Sequence, residues 1–321
     1  MQRPDDFQAF RHLSAALGQD PLRVQGPGGN TSIKQDGVLW IKASGTELAD
    51  AVSQDIFVAV DRAAAKAEAS GGGDGSCKDT VIDPDATLRP SIETTFHAVI
   101  DWPVVAHTHS IATIAHAISP EGRDLAAAKL DGLPTIFVPY AKPGLPLTRQ
   151  IMARLTPDTQ VVVLQNHGLI CCGASVEDTA ALIEEVEARL RLPATRPPTA
   201  PTGRPAPGGF FWADESWIAQ EPTAAKRAAA GSYYPDHVVF LGPALPTQAA
   251  GDTWPAIMLP GEGVIMRDAA TTSQRAMLRC LSDVLARIPA DWSLDVIGAD
   301  AEAELLNWDA EKYRQALAAR T

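Results

Sequence analysis

The stretch VVAHTHS, residues 104–110, joins an apolar run typical of a strand to two histidines one residue apart. Successive strand side chains point to opposite faces of a sheet, so His107 and His109 share one face, with Cα atoms about 6 to 7 Å apart. Two imidazoles at that spacing could hold one cation. A half-exposed strand can also carry such a pair without any metal, so the rest of the chain has to decide between these interpretations.

A third histidine favours the metal interpretation. His167 follows four apolar residues in VVVLQNHGLI, residues 161–170, and precedes Gly168, which predicts that it lies at the carboxyl end of a second strand. A catalytic Zn²⁺ takes three protein ligands and keeps one position open, and neutral imidazoles suit it. The alternative is that His167 only satisfies a strand-end hydrogen bond. We predict a divalent metal site, with Zn²⁺ as the leading ion and Mn²⁺ or Co²⁺ as alternatives.

A carboxylate precedes the first of these histidines by 14 positions. Glu93 lies near the start of a predicted helix in SIETTFHAVI, residues 91–100, which Ser91 could cap. Next to a cation, Glu93 could serve as general acid or base. The alternative is a helix-start charge that interacts favourably with the helix dipole. His97, four residues further on, could orient the carboxylate or simply pack in the helix.

Small residues form two turns that could bind an anion. GPGGNTS, residues 26–32, supplies Gly29 and Asn30, and KASGT, residues 42–46, supplies Ser44 and Gly45. Closely spaced glycines let backbone N–H groups approach an anion, and the polar side chains add neutral donors. Neither turn is a Walker motif, and GPGGN alone is typical of an ordinary turn. Together with Ser91 and a cation, they would bind a phosphate without a lysine cluster.

The composition of the chain limits the kinds of molecule that the protein is expected to bind. The chain has 321 residues, 45% of them hydrophobic, and a net charge of −12. This charge argues against a nucleic-acid surface but is compatible with a small anionic substrate at a metal-bearing site. The N-terminus does not resemble a secretory signal and no apolar run approaches a membrane span, so we expect a cytoplasmic protein without a membrane partner. The four cysteines show no CxxC spacing and are expected to be reduced, packed thiols.

The order of elements predicts a mixed α/β protein with two parts. The Asp36-Gly37 pair predicts a hairpin, VVVLQNHGLICCG a strand, and residues 176–192 an amphipathic helix. A proline-rich linker at residues 193–209 separates a domain at 1–192 from a smaller α/β segment at 210–321. In that segment we expect strands in HVVFLGP, PAIMLP and GVIMR, a helix in TTSQRAMLRCLSDVLARI, and a helical tail with a solvated acidic face.

Taken together and in this order, the motifs resemble the class II aldolase/adducin family. The matching motifs are GGNTS (28–32), KASGT (42–46), RPSIETTFH (89–97), VVAHTH (104–109) and LQNHGLI (164–170), and the resemblance covers about residues 7 to 192. The wider sequence, including LWIKASGTELAD, FVPYAKPGLPL and YPDHVVF, is most similar to the aldolase portion of rhamnulose-1-phosphate aldolase/dehydrogenase fusions. The resemblance implies that 1–192 is a three-layer α/β/α class II aldolase domain with a mixed, largely antiparallel central sheet.

The resemblance also implies roles for individual residues. His107, His109 and His167 match the metal ligands, Glu93 the catalytic acid/base, and Asn30, Ser44 and Ser91, beside Gly29 and Gly45, the contacts to the substrate phosphate. One position departs from the pattern, because the family's sugar-phosphate aldolases often have a second serine where this chain has Ile92. The glutamate argues against the epimerase branch, where an aspartate is typical.

The implied reaction is reversible cleavage of a ketose phosphate to dihydroxyacetone phosphate and an aldehyde through a metal-stabilised enediolate. Decarboxylation of a 3-keto sugar-acid phosphate would use the same site, and a non-catalytic adducin-like binding protein is the alternative from another class. A second proton donor in this family is commonly a tyrosine from the neighbouring subunit of a tetramer, so we expect a homo-oligomer. Tyr140 is a candidate, with a packed strand-end aromatic as the alternative.

Overall fold

A seven-stranded sheet forms the centre of the N-terminal part in the computed structural model, which describes residues 2–200, 203–248 and 254–318. The strands are β1 (Asn30–Gln35), β2 (Val38–Lys42), β3 (Phe57–Asp61), β4 (Val104–Thr108), β5 (Thr135–Val138), β6 (Val161–Leu164) and β7 (Gly168–Gly173). Their order is β3-β2-β1-β4-β7-β6-β5, with β5 and β6 parallel and the other neighbours antiparallel. The predicted mixed, largely antiparallel sheet is confirmed.

Helices cover both faces of this sheet. They are α1 (Phe7–Gln19), α2 (Arg62–Ala67), α3 (Thr94–Val99), α4 (Ile111–Ala117), α5 (Pro120–Lys129), α6 (Leu145–Met152) and α7 (Val176–Leu190). One core joins α1, α4, α5 and α7 to Val163 and Cys171, and another joins α3 and α6 to Val162 and Cys172. Because adjacent strand residues point to opposite faces, the two cores lie on opposite sides of the sheet. This is the predicted three-layer α/β/α arrangement.

The first hairpin positions the glycine-rich turn beside the histidine strand. β1 and β2 are joined by Asp36 (φ 51°) and Gly37 (φ 80°), whose left-handed backbone matches the two-residue turns that follow the twist of paired strands. β1 also pairs with β4, with Asn30 opposite His107. The turn at residues 26–29, which precedes β1, therefore lies next to the end of β4.

The region VVVLQNHGLICCG is a hairpin of β6 and β7, so the prediction of a single strand is wrong. Val161 to Leu164 pair with Cys171 to Gly168, and the chain turns through Gln165, Asn166 and His167. Asn166 takes the left-handed conformation (φ 53°) that allows this reversal, and asparagine tolerates it better than most residues. His167 consequently lies in a turn between two strands rather than at the end of one.

Helix α3 begins later than predicted. Glu93 is its N-cap residue and Ser91 lies before it, so the prediction that Ser91 caps the helix is wrong. The Ser91 hydroxyl instead accepts hydrogen bonds from the Glu93 backbone N–H and the Asn30 side chain, each at 3.2 Å. This arrangement turns Ser91 toward the glycine-rich turn.

The C-terminal part contains a second, three-stranded sheet and six helices within the described residues. Its elements are β8 (Phe210–Trp212), α8 (Trp217–Gln220), α9 (Pro222–Ala230), α10 (Pro235–Leu241), β9 (Ala256–Leu259), β10 (Gly263–Arg267), α11 (Thr272–Leu285), α12 (Ala299–Leu306) and α13 (Asp309–Ala318). The strands in PAIMLP and GVIMR and the helix at TTSQRAMLRCLSDVL are as predicted. The prediction of a strand in HVVFLGP is wrong, because this run lies mostly in α10, where Pro235 occupies the first turn.

The two parts pack against each other through α4. Ile111 and Ile114 of α4 belong to the same buried core as Trp217 and Leu281 of the C-terminal part. Between α7 and β8, residues 193–200 and 203–209 form neither helix nor strand, and residues 201 and 202 of the predicted linker lie outside the described residues. The division into a domain at 1–192, a linker and a C-terminal segment stays a prediction.

The acidic tail is not simply a solvated face. Glu302 of α12 and Glu311 of α13 are buried. Glu302 accepts hydrogen bonds from Ser232, and Glu311 pairs with Arg314 at 2.8 Å. The prediction of a uniformly solvated acidic face is wrong for these two residues. Glu302 is buried against a partner that is distant in the sequence, and Glu311 is buried together with Arg314, which is three residues further along the same helix.

Two further predictions concern the membrane and the thiols. Within the described ranges, no helix has the length and apolar character needed to cross a bilayer. All four cysteines are free and buried. Burial raises the pKa of Cys77 and of Cys172 to about 12, so these thiols stay protonated at neutral pH, as expected for packed cysteines.

Candidate metal centre and active site

Three imidazoles meet at one end of the central sheet. His107 belongs to β4, His109 lies one residue beyond it, and His167 lies in the turn that leads into β7, the neighbour of β4. One nitrogen from each ring lies within 4.8 Å of the others, and all three residues are buried. Strand alternation and the β4–β7 pairing therefore bring together the three histidines that the sequence singles out.

The ring nitrogens are suited to bind a cation. His107 Nδ1 lies 3.0 Å from the Leu169 carbonyl oxygen, which can only accept a hydrogen bond. Nδ1 therefore carries the proton, and Nε2 has a free lone pair. His107 Nε2 and His167 Nδ1 are buried without a hydrogen-bond partner. Burial lowers the pKa of His107 to about 4 and that of His167 to about 3, so both rings are neutral at physiological pH. Unpartnered neutral imidazoles fit a divalent metal ion.

Glu93 faces this triad. Its two carboxylate oxygens lie 3.5 Å from His107 Nε2 and His167 Nε2 respectively, and one of them accepts a hydrogen bond from Asn30 at 2.8 Å. Burial by itself would raise the pKa of the Glu93 carboxyl, but the neighbouring imidazoles and the Asn30 hydrogen bond lower it below its ordinary value. The carboxylate is therefore ionised at neutral pH, and its Oε1 atom has no hydrogen-bond partner.

His97 acts on this carboxylate through Asn30. His97 Nε2 contacts the Asn30 side-chain oxygen, and its Nδ1 lies 2.8 Å from the Ser32 hydroxyl. An amide oxygen can only accept, so His97 donates to it and leaves the Asn30 nitrogen to donate to Glu93. The structure thus joins Ser32, His97, Asn30 and Glu93 in one buried chain of hydrogen bonds.

A cavity of about 30 Å³ lies over the triad. Its lining includes every predicted site residue except His107, together with several that were not predicted. The predicted ones are Gly29, Asn30, Ser44, Gly45, Ser91, Glu93, His109 and His167, and the charged residues among the others are Lys42, Asp236 and Arg314. The glycine-rich turn, the KASGT turn and the start of α3 thus border one space.

Sequence reasoning missed the three additional charged residues. Lys42 lies within the quoted KASGT motif, and its place there is the signal that could have identified it. Strand alternation does not help, because both faces of β2 are buried. Asp236 and Arg314 come from α10 and α13. Asp236 lies in the quoted stretch YPDHVVF, but nothing in either local sequence indicates a contact with the histidines. Their position depends on how the C-terminal part packs onto the sheet.

Tyr140, the candidate proton donor, does not line the cavity. It follows β5, and its hydroxyl is buried without a hydrogen-bond partner. Burial raises its pKa above the ordinary value for tyrosine, so the hydroxyl stays protonated. No tyrosine occurs among the described residues that line the cavity.

Known proteins are similar to part of this chain in sequence and in fold. The chain is 29% identical over 209 residues, 58% of its length, to Uncharacterized oxidoreductase YuxG of Bacillus subtilis (strain 168), and it spans 30% of that protein. It is 30% identical over 119 residues to 3-oxo-tetronate 4-phosphate decarboxylase of Escherichia coli O6:H1, which covers 32% of this chain and 55% of that enzyme. It is 28% identical over 184 residues to L-fuculose phosphate aldolase of Methanocaldococcus jannaschii, covering 54% and 87% of the two chains.

The chain thus spans about a third of the first relative and about half of the second. Among solved structures, the N-terminal Class II Aldolase domain of a conserved protein from Thermoplasma acidophilum superposes with a TM-score of 0.53 at 25% identity, covering 59% of this chain and 94% of that one. The family model described as Class II Aldolase and Adducin N-terminal domain matches residues 12–193, more than half of the chain. The protein therefore belongs to the class II aldolase and adducin family.

Proposed function

We propose that this protein is a metal-dependent lyase that cleaves a ketose phosphate reversibly to dihydroxyacetone phosphate and an aldehyde. The observation that carries the proposal is the buried triad of imidazoles, two of which have an unpartnered nitrogen, next to an ionised and equally buried Glu93. A binding scaffold has no need for a buried, partly unsatisfied polar cluster, which costs stability. An active site that holds a cation does require such a cluster.

The three histidines would hold the metal, with Zn²⁺ as the leading candidate and Mn²⁺ or Co²⁺ as alternatives. When bound, such a cation supplies a Lewis acid that polarises a carbonyl and offsets the negative charge that develops as a carbon–carbon bond breaks. Class II aldolases are typically dependent on a divalent metal, and the buried histidines fit that requirement.

Glu93 would transfer the proton. In the condensation direction, its ionised carboxylate removes a proton from the carbon beside the substrate carbonyl, and in the cleavage direction the same group returns it. Asn30 holds one oxygen by a 2.8 Å hydrogen bond, which leaves Oε1 free for this task. A second donor has to serve the aldehyde, and we propose that a neighbouring subunit of a homotetramer supplies it.

The substrate phosphate would bind between the two turns. Asn30, Ser44 and Ser91 line the cavity as neutral donors, and Lys42 and Arg314 add positive charge that compensates for the serine replaced by Ile92. Lys42 Nζ donates to the Pro27 carbonyl at 3.1 Å, and an ammonium group has three N–H donors in all. Burial lowers the pKa of Lys42 to about 7, so a bound phosphate would favour its charged form.

The cavity has to enlarge to admit this substrate. A volume of about 30 Å³ has room for roughly one water molecule, whereas sites for small molecules are typically about 300 Å³ or more. Leu317 of α13 packs directly over Gly45, and Arg314 of the same helix lines the cavity. A larger cavity of about 770 Å³ adjoins it, since Ser44 and Ile92 line both. Movement of these two shared residues would join the two spaces and leave Arg314 in place.

Decarboxylation of a 3-keto sugar-acid phosphate is the second candidate. It is favoured by the 30% identity to a 3-oxo-tetronate 4-phosphate decarboxylase, and it needs the same metal and phosphate contacts. Loss of CO₂ leaves the same kind of negative charge beside a carbonyl, so the two reactions differ in the bond that breaks. An adducin-like binding protein is the alternative without chemistry.

The test combines metal analysis with a substrate screen. Purified protein is analysed for bound metal and then incubated with ketose phosphates and keto-acid phosphates, with coupled detection of dihydroxyacetone phosphate in one arm and of CO₂ in the other. We expect one divalent ion per chain and formation of dihydroxyacetone phosphate. Release of CO₂ alone would support the decarboxylase instead. A protein that holds no metal after exposure to Zn²⁺ and releases neither product would contradict the enzyme proposal.

A further inference from the structure

A carboxylate from outside the matched family region contacts one of the three histidines. Asp236 of α10 places Oδ2 3.2 Å from His109 Nδ1, and both side chains are almost fully buried, 2% and 8% exposed. This Oδ2 atom has no aligned hydrogen-bond donor, although the distance is within hydrogen-bond range. A buried carboxylate oxygen without a partner is costly, and His109 Nδ1 is the ring nitrogen beside it.

A second pair of charges holds Asp236 in place. Arg314 of α13 lies 3.0 Å from Asp236 Oδ1 and 2.8 Å from Glu311 Oε2, and all three residues are buried. A guanidinium stays charged in proteins, so it stabilises the ionised form of the carboxylate that it contacts. The other oxygen of Asp236 is left to face His109.

The glycine-rich turn leaves room for this contact. A Cβ atom at Gly28 would lie 2.7 Å from His109 Nδ1 and 2.9 Å from Asp236 Oδ2, closer than real Cβ contacts allow. The pair is therefore enclosed by the turn before β1 on one side and by α10 and α13 on another. His107 has an equivalent partner, because its Nδ1 is held by the Leu169 carbonyl.

We propose that Asp236 is a positioning residue for His109, and that Arg314 and Glu311 hold it for that task. By accepting a hydrogen bond from the Nδ1–H group, Asp236 fixes the tautomer in which the lone pair of His109 Nε2 is available to a metal. The C-terminal part thereby completes the site of the family domain. This inference rests on the proposed metal centre and adds a structural role for residues 235–241 and 309–318.

The test compares Asp236→Asn with a matched control, Asp283→Asn. Asp283 is a buried carboxylate of α11 that pairs with Arg196 and Arg287 rather than with a histidine. For each variant, the Zn²⁺ dissociation constant is measured by competition with a chromophoric chelator, the absorption spectrum is recorded with Co²⁺, and the melting temperature is measured without metal. These readouts require neither substrate nor turnover.

We expect Asp236→Asn to bind Zn²⁺ about 10- to 100-fold more weakly and to change the Co²⁺ spectrum, because outer partners of metal-binding histidines have effects of this size. Asp283→Asn should lower the melting temperature but keep the affinity of the wild type. Equal affinity in the wild type and Asp236→Asn would overturn the inference while leaving the metal centre intact. A wild type that binds no Zn²⁺ would overturn both.

A second variant covers the case in which Asp236→Asn does not fold. Arg314→Lys keeps the positive charge but loses the planar fork that contacts two carboxylates. We expect weaker Zn²⁺ binding, by about 3- to 10-fold, since Asp236 is then held less firmly. An affinity equal to that of the wild type would contradict the proposed role of Arg314, and with it the positioning of His109 by this group.

Discussion

Substitution of Gly28 by alanine tests the close contact on which the geometry of the site depends. Gly28 does not have a left-handed backbone, so an alanine can adopt its conformation without strain. The added Cβ would lie 2.7 Å from His109 Nδ1, 2.9 Å from Asp236 Oδ2 and 3.0 Å from the Gln25 carbonyl. The effect of the substitution is therefore steric, and it acts directly on a proposed metal ligand.

The size of the effect follows from these distances. Ordinary contacts of a Cβ atom begin near 3.4 Å, so His109 has to withdraw by about 0.7 Å or the turn has to move by the same amount. Overpacking of this kind costs about 1–3 kcal/mol of folding free energy. A misplacement that approaches 1 Å at a reacting centre costs about 10²-fold in rate. We expect Gly28→Ala to weaken Zn²⁺ binding about tenfold or more and to lower kcat by up to about 10²-fold.

The assay is a Zn²⁺ titration by chelator competition, with urea unfolding of the metal-free protein to measure stability. Gly208→Ala is the control, because its added Cβ would meet no atom within 4 Å and its backbone is not left-handed. That variant should match the wild type in metal affinity and equal or exceed it in stability. If Gly28→Ala bound Zn²⁺ as tightly as Gly208→Ala, the reasoning from the contact with His109 would be refuted.

Three further predictions concern proton transfer, phosphate binding and pH. Glu93→Gln should keep the hydrogen bond from Asn30 but lower kcat by about 10²- to 10⁴-fold, measured on the best substrate of the screen. Glu68 is another buried carboxylate, and Glu68→Gln should leave kcat unchanged. Lys42→Met should weaken inhibition by inorganic phosphate by about 10-fold or more, and the equivalent change at Lys34, which is held by the Trp102 carbonyl, should leave it unchanged. Burial lowers the pKa of His116 to about 4 from an ordinary value of 6.5, so the unfolded chain gains a proton first as the pH falls. Between pH 7 and pH 5, the free energy of unfolding measured with urea should fall by about 2 kcal/mol more in the wild type than in His116→Gln. Equal decreases in the two proteins would contradict the lowered pKa of His116.

Local pattern was sufficient for much of the fold because its rules act over a few residues. Strand alternation placed His107 and His109 on one face, and the Asp36-Gly37 pair defined a hairpin that the structure contains. It failed where burial removes the pattern. HVVFLGP is apolar at most positions, and every residue of α10 is buried. The spacing of apolar residues therefore cannot distinguish a helix from a strand in this stretch.

The sequence by itself therefore determined the fold class, the family and the predicted set of histidines, glutamate and small residues, since these lie in short motifs in a fixed order. Only the tertiary structure decided which other charges join them. Asp236 and Arg314 are far from His109 along the chain, and neither belongs to the five motifs that carry the site residues. They meet because α10 and α13 fold back over the end of the sheet, where a buried charge is costly unless it is paired with an opposite charge or a hydrogen-bond partner.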